Sequence, residues 1–136
     1  MTPDPQEPPR LPEDVAVRTA VRVPKPWGYE LIVAHTDRYV GKILHIEAGH
    51  ALSRQYHRVK DETLFVTSGV LTLEIGAAGE AVQRNLGPGE GFRVRPGTIH
   101  RFIAAETCEL FEVSTPELDD VVRLEDQYGR EGTSEP

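Results

Sequence analysis

The sequence predicts an all-β fold, an antiparallel sandwich or barrel, and three observations predict it. Nine short runs rich in Val, Ile, Leu, Tyr and Phe recur between residues 29 and 114. The breaks between them carry turn residues. No segment before residue 116 keeps an apolar period of 3.6 over three turns, and no strand–helix alternation suggests a parallel sheet.

The elements follow in order. Pro3, Pro5, Pro8, Pro9 and Pro12 crowd the start. Proline fixes its own φ and donates no ladder hydrogen bond, so residues 1–22 read as an extended, flexible arm. Strands are predicted at 29–34, 39–47, 51–56, 63–67, 70–75, 81–86, 91–95, 100–104 and 109–114. Between them stand Glu47-Ala48-Gly49, Thr67-Ser68-Gly69, Gly76 to Gly79, Gly87-Pro88-Gly89 and Pro96-Gly97. Residues 118–127 form one short helix or an irregular strand. A barrel domain is therefore bounded at 23–130, with an acidic tail at 131–136.

The 136 residues amount to one domain with one core. The net charge of −7 argues against nucleic acid as a partner. Residues 117–136 hold seven acidic and two basic side chains and so carry most of that charge. No apolar run approaches the ~20 residues of a membrane span. The first residues lack the apolar stretch of a secretory signal. Cys108 is the only cysteine, so no intrachain disulfide is expected and a cytoplasmic location is the simplest expectation.

Two segments carry chemistry. Gln55 and His57 are two apart, so on one strand they share a face. Glu62 follows a turn and is expected opposite them on the neighbouring antiparallel strand. His100 opens a strand just after Pro96-Gly97, where a side chain is aimed at a fixed point. A lone His on an apolar strand is usually a satisfied core residue. Two of them with Glu62 and Gln55 instead favour one divalent metal ion, of which Zn, Mn, Fe, Co and Ni all suit the donor set. Gln55 either ligates or orients His57. Alternation adds Ser53 and Phe102 to the pocket lining. Lys42 shares a face with Leu44 and Ile46, and is either an edge residue that snorkels or a pocket cation. Glu112 is a candidate general base. Arg123 and Arg130 either clamp a phosphate or neutralise the acidic tail. Trp27 and Tyr29 read as packing residues.

Gly49, Gln55, His57, Glu62 and Gly69, with Gly89, Gly97 and His100, resemble the two motifs of the cupin superfamily, with Gln55 where the first ligand is usually His. The resemblance implies a double-stranded β-helix, or jelly-roll, barrel. It narrows further. Ser53, Gln55 and His57, followed by Glu62, look like the Ser-x-Gln-x-His…Glu signature of type II phosphomannose isomerases. Lys25-Pro26-Trp27-Gly28-Tyr29-Glu30 looks like that domain's opening. The run from Asp119-Asp120-Val121-Val122-Arg123 to Glu125-Asp126-Gln127-Tyr128-Gly129-Arg130 looks like its close. In that family the cupin often follows a mannose-1-phosphate guanylyltransferase domain. The implied activity is aldose–ketose isomerisation of a sugar phosphate such as mannose 6-phosphate. The metal would act as Lewis acid on it, and Lys42 or Glu112 would move the proton. Ser53, Phe102, Arg123 and Arg130 would contact the substrate. A non-catalytic carbohydrate- or small-acid-binding cupin and a non-haem iron dioxygenase are the alternatives. Cupins commonly pair through exposed edge strands, so a homodimer is expected.

Overall fold

The computed structural model describes residues 17–133. The proline cluster of the arm and residues 134–136 of the tail lie outside the described residues. Twelve strands and no helix are formed among them. In chain order they are β1 (Val21–Lys25), β2 (Gly28–His35), β3 (Val40–Ile46), β4 (Arg54–Tyr56), β5 (Glu62–Ser68) and β6 (Leu71–Ile75). Then come β7 (Val82–Leu86), β8 (Gly91–Val94), β9 (His100–Ile103), β10 (Cys108–Ser114), β11 (Val122–Glu125) and β12 (Gly132–Thr133).

Two six-stranded sheets result, ordered β1-β2-β3-β10-β5-β8 and β12-β11-β4-β9-β6-β7. Every pairing is antiparallel. Consecutive strands repeatedly change sheet, as in a double-stranded β-helix. All nine predicted strands are present. Of the two readings for 118–127 the strand holds, as β11, with an irregular register between Arg123 and Glu125.

Alternation decides what strands such as β5 and β9 bury. Leu44 and Ile46 on β3, Leu64 and Val66 on β5 and Leu110 on β10 point inward from the first sheet. Leu71 and Leu73 on β6 and Phe102 on β9 meet them from the second. Trp27 closes the cluster. Gly69 makes the β5–β6 turn at φ +73°, and a Cβ there would collide with the Thr107 carbonyl oxygen. Only glycine fits both demands.

One expectation is overturned. Gln55 and Glu62 do not lie on neighbouring strands. β4 pairs with β9 and β11, whereas β5 pairs with β10 and β8 in the opposite sheet. His57 sits just past the end of β4. Residues 57–61 cross between the sheets rather than forming a hairpin, so His57 and Glu62 face each other through the barrel interior.

Candidate metal centre and its cavity

His57, Glu62 and His100 converge, each nearly inaccessible to solvent, with their ligand atoms all within 4.8 Å of one another. Glu62 Oε1 lies 3.1 Å from His57 Nε2 and 3.5 Å from His100 Nε2. Local structure aims both rings. His57 Nδ1 donates to the Asp120 carbonyl at 2.6 Å, and His100 Nδ1 donates to the Thr98 carbonyl at 2.9 Å. A carbonyl only accepts, so both Nδ1 atoms carry the proton and a neutral ring turns its Nε2 lone pair to the centre. The Gly97 amide donates to the His57 carbonyl at 2.7 Å and ties the two ligand-bearing loops together.

These groups fit a divalent cation. His100 Nε2 is a buried atom with no hydrogen-bond partner among the described residues. Two lone pairs and one carboxylate oxygen converge, an arrangement that is costly when dry and satisfied by a cation. Burial alone would raise the Glu62 pKa. The Lys60 ammonium, the strongest opposing influence, holds it well below the usual value, so the carboxylate stays ionised. Lys60 Nζ contacts Glu62 Oε2 at 3.0 Å and leaves Oε1 toward the imidazoles. Gln55 pairs with His100 across β4 and β9, and its side-chain oxygen accepts the Ser53 hydroxyl at 2.6 Å.

The cluster borders a cleft of about 500 Å³, counted out to its open mouth. Gln55, His57 and Glu62 line it, together with Phe102, Lys42 and Glu112. Arg123 and Arg130 line it too. His100 and Ser53 are buried but do not line it. Lys42 and Glu112 are cross-strand partners on β3 and β10, 3.7 Å apart. Lys42 also donates to Glu30 at 3.1 Å. Burial opposes its charge, but Glu112, then Glu30 and Glu62, outweigh that, and its pKa is raised. Burial pushes the Glu112 carboxyl up to about 7, with the Glu62 charge adding and Lys42 opposing. Of the two readings for Lys42, the structure chooses the pocket cation. Arg130 lines the cleft and also bonds Asp126 at 2.8 and 3.2 Å.

Several contributors escaped the sequence. Lys25, Glu30 and Lys60 line the cleft, as do Leu118 and Val121. Trp27 is both core and lining. Glu30 was within reach of an alternation argument, because it shares the inward face of β2. Lys60 was not, since a turn residue has no period to betray its direction. Lys25 is half-buried, and no hydrogen bond or ion pair to its amine is seen among the described residues. Burial lowers its pKa, Glu30 counteracts, and Lys42, Arg123 and Arg130 lower it further.

A twelve-strand double-stranded β-helix with a His/Glu/His cluster beside an open cleft defines a small barrel suited to hold a cation and a small ligand. The cupin domain model matches residues 42–114, and the chain belongs to the cupin family. Among known proteins it is similar to the mannose-1-phosphate guanylyltransferase ManC of Salmonella typhimurium, 33% identical over 111 residues. That match takes in 78% of this chain and 22% of ManC, so the chain spans about a fifth of the relative's length. Two solved structures show the fold. Staphylococcus aureus CapF, a capsular polysaccharide assembling protein, superposes with a TM-score of 0.69 at 17% identity, over 85% of this chain and 34% of CapF. A double-stranded β-helix protein from Klebsiella pneumoniae superposes at 0.62 and 18% identity, over 83% of this chain and 90% of that one.

Proposed function

We propose that this cupin is a metal-dependent aldose–ketose isomerase acting on a sugar phosphate, with mannose 6-phosphate as the first substrate to test. The observation that carries the reading is one cleft holding three things together. These are a cation-binding cluster, a carboxyl poised near neutrality, and an excess of positive charge. Lys25, Lys42, Lys60, Arg123 and Arg130 outnumber the carboxylates Glu30, Glu62 and Glu112 on its walls. A phosphate-bearing ligand suits that imbalance. The similarity to ManC, a protein named for a mannose phosphate, supports the same ligand class.

In this reading His57, Glu62 and His100 hold the metal, and Gln55 contributes its oxygen or orients His57. The metal, when bound, supplies Lewis acidity to a carbonyl and hydroxyl of the sugar. Glu112 takes a proton from one sugar carbon and returns it to the next. Its carboxyl near 7 suits both steps. Lys42, held charged between two carboxylates, is a poor base and instead keeps Glu112 in place. Arg123, Arg130 and Lys25 hold the phosphate. Ser53 orients Gln55, and Phe102 excludes water from one side of the sugar.

The test starts with elemental analysis of protein purified without chelator or nickel resin. A coupled assay for fructose 6-phosphate from mannose 6-phosphate follows. Turnover is expected, with loss of both metal and turnover in His57→Ala. Metal-loaded protein that binds sugar phosphates but converts none would leave a binding module, and the isomerase reading would fall. A His57→Ala variant that turns over at the wild-type rate would remove the metal from the mechanism.

A further inference from the structure

Asp120 does not line the cleft, yet it grips the metal cluster's support from two sides. Its main-chain oxygen accepts His57 Nδ1 at 2.6 Å. Its carboxylate accepts three consecutive backbone amides, Arg58 at 3.0 Å, Val59 at 2.7 Å and Lys60 at 2.8 Å. Those amides belong to the link by which the chain leaves His57 in one sheet and arrives at Glu62 in the other. The last of them belongs to the residue whose ammonium holds Glu62 Oε2. On either side of Asp120, Leu118 and Val121 line the cleft.

Three amides in a row converge on this one carboxylate, an anion-binding arrangement of backbone donors, and the carboxylate ties the three residues together. Without it the amides turn to water, and the crossing from His57 to Glu62 gains alternative paths. The His57 ring would then lose the carbonyl that fixes its direction, because that carbonyl and the carboxylate belong to one residue. On the metal reading above, we infer that Asp120 is a positioning residue that couples the seating of residues 115–121 beside the cleft to the cation affinity of the cluster. Coupling of this kind is reciprocal. A cation drawn to His57 and Glu62 therefore tightens the Asp120 grip, and loosening the grip weakens the cation.

The experiment is calorimetric titration of the full chain with Zn(II), applied to the wild type, Asp120→Ala, Asp120→Asn and Asp119→Ala. Asp119 is exposed, and its substitution serves as the neighbouring control. Asp120→Ala is expected to weaken Zn(II) about 10–100-fold, the usual effect of removing a group that orients a ligand. Asp120→Asn, isosteric but a poorer acceptor, should fall between, and Asp119→Ala should match the wild type. Hydrogen exchange supplies a readout that a purely structural turn would not move. Zn(II) should slow exchange at the Arg58, Val59 and Lys60 amides in the wild type and not in Asp120→Ala. If Asp120→Ala fails to fold, Asp120→Asn decides. Folded variants with wild-type Zn(II) affinity, or amides indifferent to Zn(II), would overturn the coupling alone. A wild-type protein that takes up none of Zn, Mn, Fe, Co or Ni would overturn the metal centre beneath it.

Discussion

Glu112 is surrounded by Lys42, Glu62 and Glu30, and each changes what its carboxyl can do. Burial raises its pKa to about 7, and the like charge of Glu62 adds to the shift. Replacement by Gln preserves shape and hydrogen bonding but removes the proton acceptor. Glu112→Gln is therefore expected to retain metal, measured by elemental analysis, and to lose at least ~10²-fold in isomerase turnover. Equal turnover would place the base elsewhere. A second residue-scale expectation concerns Cys108, which is buried in the core cluster. Burial, reinforced by Glu106, pushes its thiol up to about 11. At pH 8 it stays protonated and shielded, so a disulfide reagent should label it only after unfolding in denaturant. Immediate labelling of native protein would contradict its placement. At this scale the sequence revealed what alternation governs. Gln55 and Lys42 could be assigned a strand face because neighbouring side chains on a strand point opposite ways, whereas for Glu112 either face of its strand was defensible. Lys60 and Asp120 were not legible, because their roles are set by a crossing link with no period.

At the scale of elements, the nine predicted strands share one cause, short runs rich in β-forming residues bounded by turn residues. The two that were missed lack it. β1 contains Pro24, which withdraws one ladder donor, and it survives because it lies at a sheet edge. β12 has two residues, too few to show a pattern. The crossing of residues 57–61 was missed because a short link between strands reads as a hairpin whenever the sheet assignment is unknown. Turn geometry makes the next prediction. Gly69→Ala meets both a positive φ and the Thr107 carbonyl, so it should destabilise by at least ~1–2 kcal/mol, read from denaturant midpoints. An unchanged midpoint would rule out the turn described. The loop after β11 makes another. Burial raises the Asp126 pKa, but the Arg130 side chain and backbone amide overcome this and hold it below the usual value. A depressed folded pKa gives stability that is present above the unfolded value of ~3.9 and lost as pH falls through the folded one. Asp126→Asn should therefore lower the melting temperature at pH 6, with the gap to wild type closing as the pH drops below ~3.9. A gap that stays constant with pH would remove Asp126 from the acid transition.

Over the whole molecule, charge is segregated. The chain carries −7, while its cleft gathers five cationic side chains against three carboxylates. An anion must approach an acidic body to reach a basic pocket, so salt acts on both fields. Inorganic phosphate is expected to compete with sugar phosphate, and its inhibition constant should rise when ionic strength goes from ~0.05 to ~0.5 M. Competition that ignores salt would mean the cationic wall does not hold the phosphate. The two sheets meet at the proposed centre. His57 follows β4 and His100 opens β9 in one sheet, while Glu62 opens β5 in the other. An ion gripped by all three would be a rivet through the sandwich. At ~100 times its dissociation constant it would add about 2.7 kcal/mol to the native state. Stripping it with a chelator should then loosen both halves of the barrel together, in a single earlier melting step.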